Sequence, residues 1–206
     1  ASRLEITAPR GIRCAFSKNG DIQVRDLGNG VYEMDVPTSE AVFVAYEDGL
    51  PVLLPSDLLK TPYSASMLPN SSWREAEFSG YAGASIREGV CRGRTLPSIQ
   101  AHPPNRGRTL VEYDLMLPST PAVLKLSIGV GDGSKSTGVG FMIKANGVEL
   151  FHRSIKPGEG WVPVEIDMSR WAGKRVMLAL ITDSEGDNGY DWALWGEPCL
   201  VSADGE

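Results

Sequence analysis

Glycine and proline interrupt this chain so often that few stretches between them reach the roughly ten residues an ordinary helix needs. There are 23 glycines and 14 prolines among 206 residues. The chain must therefore be built from short extended pieces joined by turns, and an all-β protein is the first expectation. Its apolar share of 42% beside 22% charged residues suits a globular core, and at this length folding can bury about 70% of the extended-chain surface. No apolar run approaches the ~20 residues of a membrane helix, so no membrane partner is expected. A formal charge of −6 argues against a broad phosphate-binding surface. Nucleic acid is not an expected partner, despite the local run of Arg87, Arg92, Arg94, Arg106 and Arg108.

The period-2 pattern places the strands. Leu124, Leu126, Ile128 and Val130 alternate with Lys125 and Ser127, the mark of a half-buried strand. Val139, Phe141 and Ile143 form the next, and Asn146-Gly147 supplies the two positive-φ residues of a type I′ hairpin turn before Val148 to Ile155 returns. Val162, Val164 and Ile166 alternate again, and Val176 to Thr182 is apolar enough to be covered on both faces. Between them, Asp167 to Gly173 reads as one helical turn closed by glycine. A last strand runs from about Asp191 to Val201. Strands every 10 to 15 residues, with no long helix, predict a jelly-roll β-sandwich.

Residues 1–55 read as a small antiparallel β-sheet segment, a meander too small for a robust core. Residues 56–72, rich in Pro, Ser and Asn, read as a linker with one short helix at Asp57 to Lys60 capped by Ser56. Residues 73–206 form the sandwich. Because the chain begins with Ala1 and Ser2, it is expected to be a mature product or a fragment of a longer one. The three cysteines, Cys14, Cys91 and Cys199, have neither metal-ligand spacing nor a disulfide framework.

Nucleophile elbows, zinc-protease histidine pairs, phosphate loops and dinucleotide fingerprints are missing, and catalysis is not expected. There are only two histidines. His102 precedes Pro103-Pro104, which fixes an exposed imidazole able either to bond a ligand or to bond the local backbone; His152 reads as an ordinary strand residue. Two loops, 131–136 and 183–191, are rich in oxygen ligands, and Asp183, Asp187, Asn188 and Asp132 are candidate ligands of a structural calcium. Plain turn chemistry explains the same residues. An EF-hand is rejected, since no helices flank the second loop.

Sugar recognition needs flat aromatic rings to stack on the C–H face of a pyranose, with polar groups beside them for its hydroxyls. All five tryptophans, Trp73, Trp161, Trp171, Trp192 and Trp195, follow residue 72. Alternation through Asp191-Trp192-Ala193-Leu194-Trp195 puts Trp192 and Leu194 on one face, Asp191 and Trp195 on the other. Trp192 is assigned to the core, which turns Trp195 outward beside a carboxylate. Candidate ligand-binding residues are thus Trp195, Asp191, Tyr190, Trp161, His102 and Arg106.

Residues 98 to 118, beginning Ser-Ile-Gln-Ala-His-Pro-Pro and continuing into a strand, resemble the galactose-binding-like carbohydrate-binding sandwiches appended to bacterial polysaccharide-degrading enzymes. The order of Val139-Gly140-Phe141, Gly160-Trp161-Val162-Pro163, Asp167-Met168-Ser169 and Asp191-Trp192-Ala193-Leu194-Trp195-Gly196-Glu197-Pro198 is similar to the same group. Val24 to Tyr32 is more weakly similar to the small sheet that follows the barrel in some glycoside hydrolases. The resemblance implies a noncatalytic module that binds a polysaccharide or oligosaccharide, covalently joined to a glycoside hydrolase domain and secreted or cell-surface, extracellular or periplasmic. The alternatives are a structural or interaction domain supporting a catalytic neighbour, and a small glycan-active hydrolase.

Overall fold

The computed structural model describes residues 2–7, 12–17, 20–28, 31–36, 43–46, 50–69, 74–75 and 83–203. Strands dominate throughout, as the density of turn residues requires. The N-terminal segment contributes β1 (Ser2–Thr7), β2 (Ile12–Ser17), β3 (Gly20–Ile22), β4 (Val24–Gly28), β5 (Val31–Val36) and β6 (Phe43–Tyr46). These do not pair as a simple meander. They make two three-stranded sheets, β1-β5-β4 and β3-β2-β6.

The remaining strands are β7 (Leu50–Pro51), β8 (Ser56–Asp57), β9 (Ser64–Pro69), β10 (Arg74–Glu75), β11 (Gly83–Cys91), β12 (Arg94–His102), β13 (Gly107–Met116), β14 (Ala122–Val130), β15 (Val139–Ala145), β16 (Val148–Ile155), β17 (Val162–Asp167), β18 (Arg175–Asp183) and β19 (Ala193–Ser202). One sheet runs β10-β9-β13-β18-β15-β16, with β7 beside β13; the other runs β11-β12-β19-β14-β17, with β8 beside β19. Val111, Tyr113, Phe141, Ile143, Leu178 and Leu180 of the first sheet meet Ile99, Leu124, Ile128, Trp195 and Leu200 of the second in one core. The outer face of the first sheet is covered as well, since Leu110, Met142, Ala179 and Ile181 form a second buried cluster. That explains the near-continuous apolar run of β18.

The segment 56–72 does not act as a free linker through its described part. Leu58 is fully buried, its carbonyl accepts a 3.1 Å hydrogen bond from the Tyr113 hydroxyl, and β9 pairs with β13 over six residue pairs. Its polar composition reflects the turns around β8 and the 3₁₀ helix, while β9 itself lies between β10 and β13. The short helix is a 3₁₀ turn, Leu58–Lys60, and Asp57 rather than Ser56 caps it by accepting from the Leu59 amide at 2.9 Å. Trp73, at the expected start of the sandwich, lies outside the described residues. Asn146 and Gly147 hold φ of 49° and 78°, as a type I′ turn demands.

Candidate functional site at the loop end of the sandwich

Three connections meet at one end of the sandwich, and short polar side chains tie them together. The β12–β13 turn closes through the Gly107 amide donating to the Pro104 carbonyl at 3.1 Å. It is joined to the β18–β19 loop by Asn188, whose Nδ2 donates to the Pro103 carbonyl at 3.2 Å, and by Ser184, whose Oγ accepts from the Gly107 amide at 3.0 Å. The β14–β15 loop is tied to the same β18–β19 loop by Ser134, whose Oγ donates to the Tyr190 carbonyl at 2.8 Å, and by Ser136, whose Oγ donates to Asp191 Oδ1 at 2.5 Å.

Tyr190 and Trp192 surface in this cluster. Tyr190 is 49% exposed and holds φ of 63°, a conformation that is costly for a bulky side chain and that concentrates at functional sites. The half-buried Trp192 ring lies 5.9 Å from the Tyr190 ring, tilted by 57°. Lys135 Nζ sits 5.5 Å from the Tyr190 centroid, a cation–π contact. Gly133 is required by its φ of 82° and not by space, since a Cβ there would sit in ordinary contact with the Trp192 ring at 3.5 Å. Two rings and an ammonium thus share one rim, with Asp187 in the same loop, while the Glu185 carboxylate turns to β16, where it accepts from Ser154 Oγ at 2.8 Å.

Trp195 is the main correction. It is fully buried, edge-on to Phe141 with centroids 5.0 Å apart. Register forces this: Trp195 pairs directly with Ile99 and Ile128, directly opposed residues share a face, and both isoleucines are fully buried. The alternation in Asp191 to Trp195 holds, but its faces are inverted. Asp191 therefore also points inward, fully buried, while Trp192, expected in the core, reaches the rim. A carboxylate beside a tryptophan does not by itself signal water: here Ser136 bonds Asp191 Oδ1 inside the protein.

His102 is buried at 5% exposure, which corrects the expectation of an exposed imidazole. Burial lowers its pKa, a hydrogen bond with the Asp191 backbone opposes that shift, and its Nδ1 has no protein partner. Asp191 is raised from 3.8 to about 6, first by burial and further by Asp187, Glu185 and Asp183, against the Ser136 hydrogen bond. Its Oδ2 also lacks a partner. Arg106 is exposed at the tip of the β12–β13 turn with φ of 53°.

Trp161 stands apart from the rim. Its Nε1 donates to the Arg94 carbonyl at 2.8 Å, and its ring packs so closely on β19 that a Cβ on Gly196 would fall 2.8 Å from it. The four candidate calcium ligands have partners of their own. Asp132 accepts from the Arg92 and Gly93 amides at 2.6 and 2.8 Å. Asp183 accepts from Arg108 Nε at 2.6 Å and from the Glu185 amide at 2.9 Å. Asp187 accepts from the Gly189 amide at 3.1 Å, and Asn188 bonds Pro103. Among the described residues no group of three or more His, Cys, Asp or Glu side chains is arranged to hold a metal ion.

No family model matches the chain. An uncharacterized protein of Archaeoglobus fulgidus is 33% identical over 109 residues, covering 46% of this chain; the chain spans only 28% of that relative's length. The structure is similar to the CBM51 module of Clostridium perfringens GH95 solved in complex with methyl-galactose, with a TM-score of 0.53 at 16% identity over 71% of this chain and 99% of that one. It is also similar to the CBM51-2 and INT domains of Clostridium perfringens ZmpB, with a TM-score of 0.51 at 15% identity over 90% of this chain and 42% of that one. The fold is therefore the jelly-roll β-sandwich of carbohydrate-binding modules, preceded by small N-terminal antiparallel sheets.

Proposed function

We propose that this chain is a noncatalytic carbohydrate-binding module that holds a glycan at the loop end, across Tyr190 and Trp192. The observation behind this reading is the Tyr190–Trp192 ring pair, one ring exposed and the other half-buried, with Tyr190 held at positive φ and the Lys135 ammonium over its ring. A pyranose needs a flat apolar partner and donors and acceptors in the plane of its hydroxyls, and this rim offers both. Support also comes from the shared fold with a module solved with methyl-galactose. Such open sites leave much of a sugar hydrated, so dissociation constants between about 1 μM and 1 mM follow. The parent would be a secreted polysaccharide-active enzyme, a reading that rests on the sequence resemblance.

A supporting-domain reading draws on Trp171, Trp195 and Trp161, all three engaged in packing. Glycan-array screening followed by calorimetry separates the two. Binding weakened at least about tenfold in both Tyr190→Ala and Trp192→Ala, with melting temperatures within a few degrees of wild type, supports the module. No binding to neutral plant, algal or host glycans at millimolar concentration supports the scaffold.

A further inference from the structure

A second hollow lies away from the loop end, on the outer face of the β11-β12-β19-β14-β17 sheet. It has a volume of about 500 Å³, within the ~300–1,000 Å³ typical of ligand sites. Lys125 and Ser127 of β14 with Glu197 and Cys199 of β19 line it, together with Pro163 and Glu165 of β17, Pro97 of β12, and Asp57 and Leu59. The local sequence produces it. Pairing between β14 and β19 slips between Lys125 and Ser127, and Glu197 takes up the extra residue at φ of 45°. A bulge bends its strand and re-aims side chains.

The hollow's chemistry narrows what can occupy it. Apolar Leu59, Pro97, Leu126, Pro163 and Val164 are interleaved with hydrogen-bonding groups. Two of its three carboxylates are already paired: Lys125 Nζ lies 3.2 Å from Glu165, and Lys60 Nζ lies 3.2 Å from Asp57. Glu197 has no ion pair among the described residues, so the lining repels an anion, while a neutral hydroxylated ligand can bond to all of these groups as they stand. Burial, and then Asp57 and Glu197 against Lys125, raise the Cys199 pKa, which disfavours the thiolate.

We infer that this hollow is a second glycan site, taking a neutral oligosaccharide segment laid along β14 and β19, with Lys125, Glu165 and Glu197 bonding its hydroxyls and Pro97 and Pro163 contacting its C–H faces. The inference rests on the carbohydrate reading for its ligand class and is independent of the Tyr190–Trp192 rim for its location. Two sites on one module would raise avidity for polysaccharide without new contacts at either.

The test is amide shift mapping by NMR on the full chain, titrated with neutral gluco-, galacto-, manno- and xylo-hexaose at millimolar concentration, for wild type, Ser127→Trp and Trp192→Ala. The expected result is saturable shifts at Lys125, Ser127, Glu165 and Glu197 with at least one hexaose. Ser127→Trp, which fills the hollow, weakens these at least about tenfold while Trp192→Ala changes them less than about twofold. Circular dichroism of Ser127→Trp checks its fold, and Lys125→Ala with Glu165→Ala serves as a milder second variant. Silent groove amides with every hexaose overturn the inference; if rim amides still shift, the loop-end reading stands without it. Groove shifts that follow protein concentration in the absence of sugar identify a second copy as the occupant and also overturn it.

Discussion

Replacing Asp191 with Asn should make the protein more stable at neutral pH, although it alters a residue whose hydrogen bond joins two loops. Asp191 is fully buried, and the groups facing it are Ser136, the neighbouring carboxylates Asp183, Glu185 and Asp187, and His102, itself held toward neutral by burial. Its folded pKa of about 6 stands above the ordinary 3.8. A raised folded pKa means that the stabilisation is complete below the unfolded value and is lost as pH rises through the folded one. At about 1.4 kcal/mol per tenfold change in proton affinity, the wild type should lose about 2 to 2.5 kcal/mol through this group between pH 4, just above the unfolded value, and pH 7.5. Asn keeps an acceptor for the Ser136 hydroxyl and carries no charge. Urea unfolding of both proteins at pH 4, 6 and 7.5 isolates the effect, because other titrating groups cancel in the difference. The variant should gain about 2 to 2.5 kcal/mol over wild type across that range. Parallel stability curves would refute the reasoning and mean that Asp191 is solvated or paired in the native state.

Other outcomes follow from packing. Trp195→Ala should destabilise by about 3 to 5 kcal/mol through loss of a fully buried indole, a loss read in urea midpoints before any effect on sugar. Gly129→Ala places a Cβ 2.7 Å from Cys91 Sγ and 3.2 Å from the Gly160 carbonyl, and should cost about 1 to 3 kcal/mol by the same assay. The Cys91 thiol, pushed up to about 12 by burial and then by Asp132, should resist a disulfide reagent at pH 7.5 until the protein is unfolded, as absorbance at the released thiolate will report.

The alternating strands were legible because one face of each meets the core. Leu124, Leu126, Ile128 and Val130 are buried as the pattern required, and the hairpin at Asn146-Gly147 needs only local chemistry. Register across strands was not legible. Nothing in Asp191 to Trp195 says which face is inward until Ile99 and Ile128 stand opposite Trp195, and both come from distant segments. The same holds for Leu58, whose burial depends on Tyr113 some fifty-five residues away. Tyr190 was identified from its loop, whereas Trp192 was hidden by the inverted face. Ser134 and Ser136 stood in a loop already read as oxygen-rich; their role as ties to the β18–β19 loop belongs to tertiary structure.

Saturation-transfer NMR with the protein and the best glycan from array screening tests the central claim most directly, because it reports which sugar protons lie against the protein and the ring variants show whether the rings supply that contact. The account predicts strong transfer to the C–H face of one terminal or internal sugar in Ser127→Trp, whose β14–β19 hollow is filled, and its loss when Tyr190→Ala and Trp192→Ala are added while the fold is retained. Equal transfer with and without the two rim substitutions in that background, or none in wild type with every glycan, would contradict it.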